Sequence, residues 1–285
     1  MEKAMAAHSE SGQLVPMLRD RYGRIRVPAM INGKGPFSLI LDTGANNSAV
    51  SSNVAASLGA GLNELPPTIM HGVTGSTVVP TIQVDSISIG AFKTPPTKLP
   101  IVLDALDGAD GFLSMNSLAE RRIVIDLKND LMTLSDRPSN RSNRRDVTLR
   151  AAPSASRMLI IDTRIKGVLI KTIVDTGAQA TIGNLAMQAA VSGVWPATSP
   201  KDRIFGATAV IQAGTTCLLP PISLGSLWIL GGRISYADVP IFRKLDLASE
   251  PAMLIGMDIL GKFESLIFDL KNQTLQLRPR LPARS

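Results

Sequence analysis

The sequence predicts an all-β protein made of two similar lobes with only a few short helices. Three observations support this prediction: motifs recur in order along the chain, apolar segments are short and rich in β-branched residues and leucine, and Gly, Pro and Asn separate them. A length of 285 residues is sufficient for two domains that each bury a hydrophobic core.

An internal repeat of three blocks indicates two copies of one unit. The matching pairs are FSLILDTGANNSAVS (37–51) with LIKTIVDTGAQATIG (169–183), ISIG (87–90) with ISLG (222–225), and IVIDLKNDLMTL (123–134) with LIFDLKNQTLQL (266–277). One matching tetrapeptide arises easily by chance, but three blocks in the same order do not. Their spacing differs only by insertions that loops tolerate.

The repeat also sets the expected domain boundaries. We expect a tail at 1–14, a first lobe at 15–136, a linker at 137–146 and a second lobe at 147–285. RPSNRSNRRDVTLR (137–150) carries five Arg, with no apolar periodicity before Val147, which is typical of a solvated linker.

The secondary structure is predicted to consist mainly of strands. Strands are predicted at Arg24–Ile31, Phe37–Leu41, Thr81–Ile89 and Ile123–Leu134, and short helices at Asn53–Leu58, Met115–Arg121 and Met257–Phe263. The bounding Gly, Pro and Asn residues favour turns between the strands.

Composition excludes several classes of protein. Hydrophobic residues make up 45% of the chain and charged residues 19%, which argues against disorder and coiled coils. No apolar run approaches the length of a membrane span, and the first twenty residues lack the apolar core of a signal peptide. Cys217 is the only cysteine, so no intramolecular disulfide can form and the compartment stays open.

Each half contains an aspartate directly after an apolar strand, Asp42 in one and Asp175 in the other. A buried carboxylate must be hydrogen-bonded, protonated or functional, because burial without partners is costly. Two carboxylates held close together cannot both ionise and therefore share a proton, as in aspartic proteases, the standard example of this effect. One can then activate a water while the other hydrogen-bonds a substrate carbonyl.

The two DTGA motifs resemble the active-site motif of the retropepsin-like aspartic peptidases. This resemblance implies a bilobal acid-protease fold, hydrolysis of peptide bonds by Asp42 and Asp175, a peptide or protein substrate, and activity as a monomer because both lobes are in one chain. It implies no cofactor and no metal. The loops that support the two aspartates would be formed by Thr43, Gly44, Ala45, Thr176, Gly177 and Ala178.

The family has a second signature, two apolar residues and a glycine, which packs behind the catalytic loop. Leu254, Ile255 and Gly256 match it. The first half departs from it, because Leu113 is followed by Ser114. Serine is small, so we expect the packing to survive, although a distorted first lobe would weaken the activity.

A hairpin at 69–80, with its turn at Gly72–Gly75, is the expected flap over the cleft. The flap and substrate-binding residues expected in the two halves are Met70, His71, Gly72, Val73, Phe205 and Gly206. The tyrosine of pepsin-type flaps is absent from the first hairpin. In the alternative interpretation, each hairpin only covers its own lobe and His71 is an ordinary loop histidine.

Other functions are less well supported by the sequence. A duplicated pair of structural aspartates, or a peptide-binding protein with an impaired dyad, would keep the same fold. His8, His71 and Cys217 do not have metal-site spacing, and neither a G-x-S-x-G nor a Walker motif occurs. The net charge of +7 would favour anionic ligands, but no aromatic residue lies in the Arg-rich linker to stack on nucleic-acid bases.

Overall fold

A computed structural model describes residues 8–9, 12–59, 65–102, 107–118, 121–136, 143–152, 158–191, 197–205 and 211–280. Over these residues the protein is all-β, as the sequence predicts.

The strands of the first half, as far as it is described, are β1 (His8–Ser9), β2 (Gly12–Pro16), β3 (Leu18–Arg19), β4 (Ile25–Ile31), β5 (Lys34–Asp42), β6 (Ala49–Ser51), β7 (Thr68–His71), β8 (Ser76–Val79), β9 (Thr81–Val84), β10 (Ile87–Ile89), β11 (Phe92–Lys93), β12 (Thr97–Val102), β13 (Gly111–Ser114), β14 (Arg122–Asp126) and β15 (Leu131–Ser135). Those of the second half are β16 (Val147–Ala152), β17 (Ile160–Ile165), β18 (Val168–Val174), β19 (Ile182–Gly183), β20 (Ala197–Phe205), β21 (Ile211–Leu218), β22 (Ile222–Leu224), β23 (Leu227–Ile229), β24 (Arg233–Tyr236), β25 (Ala252–Ile255), β26 (Phe263–Asp269) and β27 (Thr274–Pro279).

Alternation of buried and partly exposed residues explains why these segments form strands. In β4, every second residue from Ile25 to Ile31 is buried and the residues between them are half-buried. The predicted segment 81–89 forms β9 and β10, and 123–134 lies within the hairpin of β14 and β15. All four predicted strand segments are therefore confirmed.

Four short α-helices and one 3₁₀ helix complete the described structure. They are α1 (Ser52–Leu58), α2 (Leu185–Val191), α3 (Pro240–Lys244), α4 (Met257–Leu260) and the 3₁₀ helix Met115–Leu118. The sequence predicted α1, α4 and the 3₁₀ segment, but α2 and α3 were missed. Both are short and have no acidic residue in the first turn to mark their start.

The two halves share one topology around the DTGA motifs. In the first half, β5 runs parallel to β13, and β13 pairs antiparallel with β6. In the second half, β18 runs parallel to β25, and β25 pairs antiparallel with β19. In each half, the strand that leads to the aspartate therefore lies beside the strand of the second signature.

A sheet of strands from both halves joins them. β14 pairs antiparallel with β26, so that Ile123 lies opposite Phe268, and both side chains are fully buried. β2 pairs with β15 at one side of this sheet, and β16 pairs with β27 at the other. β2 begins at Gly12, inside the segment expected to be a tail. We propose that the halves on either side of this sheet are two lobes, at about residues 15–136 and 147–285.

The described end of the expected linker, residues 143–146, packs against the last strand. The fully buried carboxylate of Asp146 accepts hydrogen bonds from Arg278 Nε at 2.8 Å and Nη2 at 3.0 Å. Burial alone would raise the pKa of Asp146, but the hydrogen bonds and charge of Arg278 hold this pKa below its ordinary value. The ion pair therefore attaches residue 146 to β27.

Replacing Asp146 by Asn should lower the free energy of unfolding by about 2 kcal/mol at pH 7, because a charged hydrogen-bond acceptor is lost. A carboxylate with a lowered pKa in the folded state stabilises above its unfolded pKa, and this contribution disappears as the pH falls through the folded pKa. Urea unfolding at pH 7 and at lower pH measures both effects, and the difference from wild type should shrink on acidification.

Asp162→Asn is the control, because the Asp162 and Lys171 pair is more exposed. Its cost should stay below about 1 kcal/mol. Equal costs for the two variants at pH 7 would contradict the role given to Asp146.

Candidate active site

Each DTGA aspartate is held by the backbone of its own loop. Asp42 is the last residue of β5, and its Oδ1 accepts a hydrogen bond from Gly44 N at 2.8 Å. Asp175 follows β18, and its Oδ1 accepts hydrogen bonds from Gly177 N at 2.8 Å and Ala178 N at 3.1 Å. The two carboxylates thus have equivalent supports, which fix their orientation.

The two aspartates meet because each lies against the glycine of the opposite loop. A Cβ atom on Gly44 would lie 2.5 Å from Asp175 Oδ2, and one on Gly177 would lie 2.5 Å from Asp42 Oδ2. No side chain can occupy either space, since real Cβ atoms do not approach other atoms this closely. Both glycines are therefore required for the two loops to come together.

Two threonine hydroxyls tie the loops together below the carboxylates. Thr43 Oγ1 donates to Val174 O at 2.7 Å and accepts from Thr176 N at 2.9 Å. Thr176 Oγ1 donates to Leu41 O at 2.6 Å and accepts from Thr43 N at 3.2 Å. Both threonines are buried, so this reciprocal network joins the halves directly at the site.

The environment raises the pKa of both carboxyl groups. For Asp42, burial has the largest effect, the negative charge of Asp175 adds to it, and the pKa lies well above its ordinary value. Burial also raises the pKa of Asp175, but hydrogen bonds from Gly177, Ala178 and Asp42 oppose the increase. Both pKa values are thus raised, and two buried carboxyl groups this close are expected to hold one proton between them.

The second signature packs differently in the two halves. Behind Asp175, Met257 N donates to Ala178 O at 2.8 Å and Asp258 N donates to Gln179 O at 3.2 Å. A Cβ atom on Gly256 would lie 2.8 Å from Ala178 O and 2.9 Å from the backbone of Ala180. Glycine is required at this position because backbone atoms fill the space.

Behind Asp42, side chains supply the equivalent hydrogen bonds. Ser114 Oγ donates to Ala45 O at 2.7 Å, and Asn116 Nδ2 donates to Asn46 O at 2.8 Å. Ser114 N donates to Ser48 Oγ at 3.0 Å. Ser114 is fully buried and its hydroxyl is hydrogen-bonded, so the serine itself adds no unpaired polar group.

A cavity of about 690 Å³ opens above the two aspartates and is lined by residues of both halves. The predicted hairpin forms one wall: β7 pairs with β8, and Gly72 N donates to Gly75 O at 2.8 Å across the turn. All four flap residues predicted in the first half line the cavity, namely Met70, His71, Gly72 and Val73.

The flap contacts the second half as well as its own. Val73 packs against the apolar cluster that contains Ile241 and Leu254, and Thr74 O accepts a hydrogen bond from Gln212 Nε2 at 3.2 Å. The flap therefore spans the cleft, which disagrees with the alternative that it covers its own lobe alone.

In the second half, flap residues were expected at Phe205 and Gly206. Gly206 and the side chain of Phe205 lie outside the described residues, whereas Ile204, next to them in β20, lines the cavity. Sequence reasoning missed further lining residues, among them Tyr22, Ile241 and Lys244. Ile241 and Lys244 lie on α3, and no motif marked this helix.

Comparison with known proteins agrees with the geometry. Residues 27–117 match the family model described as aspartyl protease. This matched part of the chain includes Asp42 and Ser114, and the match agrees with the retropepsin-like resemblance of the DTGA motifs. A search of curated proteins found no match.

The described residues contain no group of three or more His, Cys, Asp or Glu side chains arranged to hold a metal ion. No helix among them is both long and apolar enough to cross a membrane.

A double-mutant cycle should detect the threonine network. Thr43→Val and Thr176→Val each remove a buried hydroxyl and should each cost about 2 kcal/mol of unfolding free energy. Because both hydroxyls belong to one network, the two costs should fail to add, with a coupling on the order of 1 kcal/mol measured by denaturant unfolding.

Thr163→Val provides the control, since the Thr163 hydroxyl is also buried but pairs with Thr172. Its cost should add to that of Thr43→Val within about 0.5 kcal/mol. If the costs of Thr43→Val and Thr176→Val also add, as those of Thr43→Val and Thr163→Val should, the hydroxyls of Thr43 and Thr176 act separately.

The two second-signature positions should respond differently to alanine. Gly256→Ala forces a methyl group against backbone atoms and should destabilise by about 2 kcal/mol. Ser114→Ala keeps its Cβ and loses only a hydroxyl, so its cost should be about 1 kcal/mol. Thermal or denaturant unfolding measures both. A Gly256→Ala protein as stable as wild type would contradict the packing described here.

Proposed function

We propose that the protein is an aspartic endopeptidase in which Asp42 and Asp175 form one catalytic dyad. The observation that supports this most strongly is the reciprocal contact of the two DTGA loops, in which each carboxylate lies against the glycine of the other loop. The match of residues 27–117 to the aspartyl protease family model supports peptidase activity in general. Since one chain supplies both aspartates, activity as a monomer is part of the proposal.

The raised pKa of both buried carboxyl groups supports a dyad that holds one proton. The ionised member takes a proton from a water molecule held between the two groups, while the protonated member donates a hydrogen bond to the substrate carbonyl oxygen. The water oxygen bonds to the carbonyl carbon and gives a tetrahedral intermediate. The carbon–nitrogen bond then breaks as the amine receives a proton from the dyad, so no covalent enzyme intermediate and no cofactor is needed.

The cleft fits an extended peptide. The strands of the flap present backbone groups along one wall, and peptide backbones bind exposed strands by β-type hydrogen bonds. Apolar side chains from both halves line the floor and walls, namely Met70, Val73, Phe112, Ile173, Ile204 and Leu254. These residues favour apolar side chains next to the scissile bond, because burial of apolar surface supplies the main binding energy.

The proposal is tested by digestion of a denatured protein mixture from pH 3 to 8. Asp42→Asn and Asp175→Asn should each lower kcat by at least about 10³-fold, because either change removes one half of a shared acid and base. Cleavage by wild type should rise as the first proton leaves the pair and fall as the second one leaves. Since both pKa values are raised, both limbs of the pH profile should lie above the ordinary aspartate value.

Asp85→Asn is the matched control, because Asp85 is exposed and does not line the cavity. It should retain full activity. A folded wild type that cleaves nothing at any pH would contradict the proposal and favour a peptide-binding protein with an impaired dyad. Activity that survives either dyad substitution would show that Asp42 and Asp175 do not act together.

A further inference from the structure

Helix α3 brings a lysine to the side of the cleft where the flap approaches the second half. Lys244, the last residue of α3, lines the same cavity as Asp42 and Asp175. A smaller cavity of about 130 Å³ continues from this point between the flap and α3. It is lined by His71, Gly72, Ser76, Pro240, Ile241 and Lys244.

Lys244 differs from the other cations of the main cavity in having no acidic partner. Arg21 pairs with Asp107 at 2.7 Å, and Arg24 pairs with Asp20 at 2.7 Å. Within the described part of the chain, the ammonium group of Lys244 makes neither an ion pair nor a hydrogen bond. The cleft thus carries one uncompensated positive charge at this side.

Lys244 is an exposed residue, but its ammonium group is partly desolvated, and no acidic side chain of the described residues forms an ion pair with it. Burial lowers the pKa of Lys244. Burial and the charge of Lys244 also lower the pKa of His71, which keeps that imidazole neutral near pH 7. The His71 ring is already engaged, because its Nδ1 lies 2.7 Å from Ser76 Oγ. An incoming carboxylate therefore meets one cation, a neutral ring and the apolar side chain of Ile241.

We propose that Lys244 selects an acidic side chain, aspartate or glutamate, in the peptide substrate on the flap side of α3. This inference rests on the proposed endopeptidase function and adds a substrate class to it. A partly desolvated ammonium group without a partner gains a charge-assisted hydrogen bond when a carboxylate arrives. A neutral side chain leaves this charge unpaired, and a basic one is repelled by it.

The test begins with a peptide that the wild type cleaves well, chosen by sequencing the products of a protein digest. Glu, Gln and Lys are then placed in turn at each position that flanks the scissile bond, and kcat/KM is measured for each peptide. At one position the wild type should prefer Glu over Gln by on the order of tenfold, a typical effect of one charged hydrogen bond. Lys should be disfavoured at the same position.

Two substitutions at Lys244 test whether this residue causes the preference for Glu over Gln. Lys244→Met keeps the apolar stem without the charge and should abolish the preference for Glu, whereas Lys244→Arg should retain it. Arg243→Met is the matched control, because Arg243 is adjacent on α3 and exposed like Lys244, but it lines neither cavity and is paired with Asp238 at 3.7 Å. It should leave the preference unchanged. The pKa of Asp42 is set by burial, Asp175 and its own loop, so these variants leave the dyad intact.

The outcomes separate the two proposals. Efficient cleavage with equal use of Glu and Gln at every position, or a preference that survives Lys244→Met, would overturn the role of Lys244 and leave the endopeptidase proposal standing. Absence of all cleavage would contradict the endopeptidase proposal. In that case, calorimetric binding of reduced-amide peptides that differ only in Glu or Gln still decides the question, because equal affinities would overturn the role of Lys244.

Discussion

The structure depends on one contact, the approach of two DTGA loops from opposite halves of the chain. Each loop presents a glycine to the aspartate of the other, and the buried hydroxyls of Thr43 and Thr176 bond across the junction. Two like charges cannot be held so close in a buried site unless one is neutralised. The contact therefore determines both the join between the halves and the shared proton on which the proposed chemistry depends.

The halves are similar in topology but unequal in detail. In both halves burial raises the pKa of the aspartate, and backbone hydrogen bonds from its own loop oppose the increase. Ser114 and Asn116 support the loop of Asp42 with side-chain hydrogen bonds where the other half uses backbone ones. The two halves of the repeat therefore differ in how they support their aspartate loops.

The sequence predicted those parts of the structure that local patterns encode. Short apolar segments rich in β-branched residues and leucine, separated by Gly, Pro and Asn, marked the strands, and the two DTGA repeats marked Asp42 and Asp175. Lys244 escaped prediction because only tertiary placement brings it to the cleft: it lies on a five-residue helix that no motif marks. The bonding of Ser114 was also beyond the sequence, because it depends on which carbonyl oxygen lies within reach.

Carboxyl ¹³C chemical shifts measured through a pH titration would show whether Asp42 and Asp175 share one proton. We expect Asp42 to stay protonated well above the ordinary aspartate pKa, and Asp175→Asn to lower the pKa of Asp42 by removing the neighbouring charge. Burial should still keep that pKa above the ordinary value. Independent titration of both groups near the ordinary value, unchanged by the substitution, would contradict the account.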